Sequence, residues 1–104
     1  MTIRMQRSSG NVFTDLGFPA EEAAHLLIRA DLMGQLREVI NEQGLTEKAA
    51  AKALGVTQPR VSDLVRGRVE LFSIDTLIEM LTRFDIAVMV KTKRRRRVAN
   101  RSRD

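Results

Sequence analysis

The chain has 104 residues and a formal net charge of +5, with 43% hydrophobic and 4% aromatic residues and no cysteine. That length supports one modest core and no second one, and the lack of cysteine excludes a disulfide framework, a thiolate metal site and a cysteine nucleophile, in keeping with a reducing compartment. No apolar run approaches the roughly 20 residues of a membrane-spanning helix, and the opening MTIRMQRSSGN lacks the apolar core of a signal peptide, so a soluble cytoplasmic protein is expected.

Residues 1–11 are polar and aperiodic and read as a mobile arm, the first part of an N-terminal arm over 1–18. In NVFTDLGFP, Asn11 to Pro19, the apolar residues can dock on a body, while Gly17 and Pro19 mark a turn. A helix is predicted from near Ala20, with Pro19 suited to its first turn and Glu21 and Glu22 near the positive end of its dipole. Ala23, Leu26, Leu27 and Ala30 form a helical stripe, continued by Leu32, Leu36, Val39 and Ile40 until Gly44 stops it. The period does not distinguish one long helix from two that meet near Ala30 and Asp31.

Beyond Gly44, each short segment carries its own start mark. Thr46 is placed to cap a helix whose inward face is Ala50, Ala53 and Leu54, ended by Gly55. Thr57 is placed to cap the next, with Val61, Leu64 and Val65 inward and Gly67 at its end. Two brief helices about a short turn containing Gly match the helix-turn-helix unit. Ser73 caps a further helix, with Phe72 and Leu77 as a hydrophobic staple and Ile74, Leu77, Ile78, Leu81 and Phe84 facing the core. The β-branched run Ile86 to Val90 predicts a short strand, and no second strand of comparable strength is visible. A lone apolar strand needs a partner. The N-terminal VF segment is one candidate, but it is short and interrupted; antiparallel pairing with a second subunit's copy is the preferred expectation, which assigns Ile86, Val88 and Val90 to a homodimer contact. The chain thus divides into the arm 1–18, a helix-turn-helix domain with a C-terminal strand over 19–90, and a basic tail over 91–104 expected to be disordered.

The charge is unevenly placed. From Lys91 onward there are eight Lys/Arg against Asp104, a balance of +7, so residues 1–90 carry +5 minus 7, or −2. Within that negative body, Gly44 to Val69 holds five basic and two acidic residues, +3. The stretch GVTQPRVSDLVRG, Gly55 to Gly67, combines this charge with residues that read base edges: Gln58 suits adenine, Arg60 guanine, and Asp63 the cytosine amino group, with Ser62 beside them. Arg66, Arg68, Lys48 and Lys52 are placed to meet phosphates on either side. The competing reading of Arg60, Asp63 and Arg66, spaced by three, is a solvated salt-bridge row on an ordinary bundle helix.

LTEKAAAKALGVTQPRVSDLVRG resembles the helix-turn-helix of the lambda-repressor-like, Xre-type regulators. The wider span from NVFTDLGF through EEAAHLLIRADLM to FSIDTLIEMLTRF resembles their HigA-type antitoxin branch, over roughly Asn11 to Val90. The resemblance implies an all-α, lambda-repressor-like bundle with an added N-terminal helix and one short C-terminal strand. It also implies a dimer that binds double-stranded operator DNA, represses its own operon in the bacterial cytoplasm, near the nucleoid, and neutralises a RelE-like mRNA-cleaving toxin. By position, Gln58, Pro59 and Asp63 fall where family members touch bases, and Thr57, Arg60, Ser62, Arg66 and Arg68 fall at or near phosphate-contacting places; Thr46 and Lys48 at the start of the motif's first helix are counted with them as DNA-binding residues. Two departures stand out: Glu47 replaces the Gln common at the start of the motif's first helix, and the arginine-rich tail lies outside the family pattern. A prophage-type regulator without a toxin shares all of these residues, and a helical protein-binding adaptor is the reading from another class.

An enzyme is the least expected class. His25 is the only histidine, sits in an Ala/Leu-rich helical segment and has no nucleophile or carboxylate partner in view. No metal-ligand spacing or phosphate-cradling glycine loop occurs, so no cofactor is expected. Met33, Met80 and Met89 read as packing residues.

Overall fold

The computed structural model of the chain describes residues 2–4 and 11–94. Its elements are β1 (Thr2–Arg4), α1 (Val12–Asp15), α2 (Ala20–Glu42), α3 (Glu47–Leu54), α4 (Gln58–Val65), a 3-10 turn at Val69–Leu71, α5 (Ile74–Arg83) and β2 (Ala87–Met89). The architecture is mainly helical, with α2 as the spine. This helix runs unbroken for 23 residues, roughly 34 Å at 1.5 Å per residue. No proline or glycine breaks it at Ala30 and Asp31, and the buried stripe passes from Leu26 to Leu32 and Met33 across them, so a single helix forms. Pro19 serves as the N-cap rather than as a first-turn residue, its carbonyl accepting from the Ala23 N–H at 2.8 Å.

The C-terminal half of α2 supplies Leu32, Met33, Leu36, Val39 and Ile40 to one continuous core. Ala50, Ala51 and Leu54 enter it from α3, Val61 and Leu64 from α4, and Leu77, Met80 and Leu81 from α5, with Phe72 and Ile86 closing its ends. The inward face of α3 differs from the sequence expectation, since Ala51 is buried and Ala53 is exposed. In AAAKALG three consecutive alanines carry no period, so only packing selects the inward pair. Val65 is half-buried, beside the fully buried Val61 and Leu64.

Three caps form as the side-chain chemistry requires. Thr46 Oγ1 accepts from the Ala49 N–H at 3.0 Å, Thr57 Oγ1 from the Arg60 N–H at 3.4 Å, and Ser73 Oγ from the Thr76 N–H at 3.1 Å. Gly55 and Gly67 end α3 and the turn after α4 with φ of 70° and 75°, in the left-handed region open to glycine. Each is overlaid by an arginine from another helix. A Cβ on Gly55 would stand 3.3 Å from Arg83 Nη1, and one on Gly67 would stand 3.0 Å from Arg37 Nη1.

In the segment Asn11 to Pro19, expected only to dock on the body and turn, a short helix forms. Asn11 caps α1, accepting from the Phe13 N–H at 2.8 Å, and its Nδ2 donates to the Ala23 carbonyl at 2.9 Å, which ties α1 to the first turns of α2. Phe13 and Phe18 meet edge to face with centroids 6.1 Å apart. Four residues are too few for a helical period to be visible, and the signal was in the cap. Further upstream, β1 pairs in parallel with β2, in the register Thr2 to Ala87, Ile3 to Val88 and Arg4 to Met89. The strand predicted over Ile86–Val90 therefore has a partner in its own chain, and it is parallel. Parallel pairing requires a long crossover, and here the whole helical body provides it. The strand is also shorter than predicted: Ile86 belongs to the core rather than to an edge, while Met89, expected to pack, is 61% exposed. The expectation of a disordered tail falls mostly outside the described residues, of which 91–94 are exposed.

Replacing Gly67 by Ala is expected to cost about 1–2 kcal/mol, because a Cβ opposes the left-handed backbone there. Urea unfolding of the variant beside the parent measures this, and an unchanged midpoint would count against the conformational requirement.

Candidate nucleic-acid interface

Helix α4 presents the residues singled out by the sequence. Val61 and Leu64 are fully buried and turn one side of the helix into the core. Gln58 and Pro59 in the first turn are exposed, Ser62 and Asp63 are half-buried on the flank, and Arg66 at the C-cap is exposed. Pro59 stands early enough that its missing N–H breaks no helical hydrogen bond. The buried side fixes the helix and leaves a polar side outward, as reading a groove requires.

Around α4 lie the groups suited to phosphates. Lys48 and Lys52 are exposed on α3, and Arg68 is exposed just beyond Gly67. Thr46 and Thr57 are exposed at the starts of α3 and α4, and both hydroxyls accept a backbone hydrogen bond in their caps. A hydroxyl that accepts still has its own O–H to donate, so each cap keeps a donor for a phosphate oxygen. The motif's two helix starts, with their partial positive charge, lie beside these hydroxyls.

Two residues are arranged differently from the sequence reading. Asp63 does not form a row with Arg60 and Arg66; its carboxylate Oδ1 lies 3.6 Å from Arg68 Nε. The side chains are 33% and 50% exposed, so this pair contributes about 0–1 kcal/mol and can be exchanged for other partners. Arg60, expected to point outward, is half-buried. Its guanidinium carbon lies 4.0 Å from the centroid of the Phe72 ring, and its Nη1 donates to the Leu71 carbonyl at 2.8 Å. The sequence gives no sign of that contact, because residues 60 and 72 belong to different elements and share no period.

The residues assigned to a dimer contact also separate. Ile86 is committed to the core, Val88 packs partly against it, and Val90 is 77% exposed. With two strands in the described sheet, each has one side without a partner strand. His25 is exposed on α2, and among the described residues no cluster of His, Cys, Asp and Glu is placed to hold a metal. No described helix is long and apolar enough to cross a membrane.

Comparison with known proteins agrees with this geometry. The family model of a helix-turn-helix domain matches residues 12–93. A solved structure described as an XRE family transcriptional regulator superposes with a TM-score of 0.67 at 30% identity, covering 80% of this chain and 93% of that one. No curated protein sequence matches. The match runs from α1 through β2, so it includes the exposed face of α4 and both helices of the motif. The chain belongs to the XRE family of helix-turn-helix DNA-binding transcriptional regulators.

Proposed function

We propose that this regulator is the DNA-binding antitoxin of a toxin–antitoxin operon, which binds its own operator as a homodimer in the bacterial cytoplasm, at the nucleoid, and restrains a RelE-like mRNA-cleaving toxin. The observation that carries the DNA half is the exposure of Gln58 and Pro59 in the first turn of α4, with Lys48 and Lys52 exposed on α3 and Arg66 and Arg68 exposed at and beyond the end of α4. In this reading Gln58, Pro59 and Asp63 meet bases, while Thr46, Lys48, Thr57, Ser62, Arg66 and Arg68 meet the backbone. Asp63 is released from Arg68 on binding, so one exchange frees both an acceptor for cytosine and a cation for phosphate.

The toxin half is supported by the sequence resemblance of ADLM, QPRVSDLVRG and FSIDTL to HigA-type antitoxins. Leu32, Met33 and Phe72 of those motifs are buried and build the core. A regulator of the same family without a toxin is separated by one observation. Expressed together with its neighbouring gene, the protein should retain a small basic partner through purification and relieve its toxicity; a neighbour that is neither toxic nor retained leaves a plain XRE regulator.

The DNA contacts are tested by two substitutions. Arg66→Ala is expected to weaken binding to all duplexes alike and to lower the slope of log affinity against log salt by about 1, since one phosphate contact is lost. Asp63→Ala should instead change which sequences a randomised library yields. An unchanged preference would return Asp63 to the role of a surface ion pair.

The dimer is supported by the unpaired side of β2 and by the exposed Met89 and Val90. Two subunits would present two α4 helices to half-sites about 34 Å apart. The parent is expected to be dimeric in solution and Val88→Pro to be monomeric, with weaker operator binding. A variant that remains dimeric and binds as tightly as the parent rules out the strand as the dimer contact.

A further inference from the structure

The geometry points to Arg60 as a positioning residue that sets the rotation of α4 about its own axis, and so decides which side chains reach the bases; the inference rests on the base-reading role proposed for that helix. Helix α4 has eight residues and only two fully buried side chains, Val61 and Leu64, with Val65 packed partly against the core beside them. A short apolar strip of this kind holds a helix against a core and leaves it some freedom to roll. Arg60 lies at the edge of that strip away from Val65, one turn before Leu64 and about 100° around the helix from Val61. Its backbone N–H is bonded to the Thr57 cap, and its side chain crosses to the segment before α5.

There the guanidinium makes two contacts of different direction. Its face covers the Phe72 ring, with 4.0 Å from the central carbon to the centroid, and its edge donates to the Leu71 carbonyl at 2.8 Å. Phe72 is itself 2% exposed and set in the core, so the contact is to a fixed platform. A planar cation stacked on a ring and hydrogen-bonded at its edge has little freedom left. Lysine keeps the charge but has no plane to stack and edge to donate together. This assignment removes Arg60 from the phosphate contacts that its position in the motif implies, and makes Phe72 part of the reading apparatus although it meets no DNA.

The experiment uses two duplexes of equal length, one enriched by the parent protein from a randomised library and one of random sequence. Affinities are measured across a salt series, with thermal unfolding to confirm the fold of each variant. Arg60→Lys is expected to lower the ratio of selected to random affinity by about tenfold while leaving the salt slope unchanged, because base contacts are misaligned and phosphate contacts are kept. Phe72→Leu, which keeps an apolar side chain and removes the ring, should lower the ratio similarly, and the double variant should lose no more than either single one. The brace is overturned if Arg60→Lys matches the parent and Arg60→Ala weakens both duplexes alike with a slope lower by about 1, the signature of a phosphate contact. A parent that enriches no sequence overturns base reading by α4, and the brace with it.

Discussion

A helix of eight residues does not hold its own shape in water; nucleation is too costly and the hydrogen bonds too few. The rest of the fold answers that constraint, because α4 must be helical, exposed on one side and fixed in direction. Burial of Val61 and Leu64 contributes roughly 1.5–3 kcal/mol for each side chain removed from water. The Thr57 cap closes its first turn, and Gly67 lets the chain turn away at its end. What receives the buried side is the long stripe of α2, whose own length gives the short helices a common wall. These supports act together, since α3, α4 and α5 all pack into the same core.

Charge in this chain is placed rather than abundant. Residues 1–90 are slightly negative in sum, while the helix-turn-helix stretch Gly44 to Val69 carries +3, with Lys48, Lys52, Arg66 and Arg68 all exposed. The weak, half-exposed pair between Asp63 and Arg68 fits such a surface: it neutralises an acidic group while DNA is absent and costs little to open. Arg60, Arg37 and Arg83 serve the fold more than the field. Arg60 covers Phe72, while Arg37 and Arg83 lie over the glycines that end the motif's two helices. Arginine bears both duties because its stem packs and its planar head tolerates partial burial.

The two ends of the chain meet in a small parallel sheet, and this changes the meaning of the C-terminal strand. An apolar strand beside a helical domain is a hazard when both edges are open. Pairing Thr2–Arg4 with Ala87–Met89 satisfies one edge, and burial of Ile86 anchors the strand at its start. The remaining edge and the exposed Val90 leave a smaller open surface than the five-residue run suggests.

The features legible in the sequence are those whose cause lies within a few residues. Thr46, Thr57 and Ser73 cap helices because a short side-chain oxygen reaches the N–H three residues on, and glycine marks helix ends because no other residue takes a positive φ so freely. The helix-turn-helix, its buried Val61 and Leu64, and the outward Gln58 and Pro59 follow from such local rules. Tertiary structure alone decided the choice of Ala51 over Ala53, because an alanine run has no period of its own. It decided the partner of β2, because strand pairing between distant segments depends on how the body folds between them and not on the strength of either strand. It also turned Arg60 inward: the same guanidinium suits a phosphate or a ring, and only the fold sets the Phe72 face and the Leu71 carbonyl within its reach.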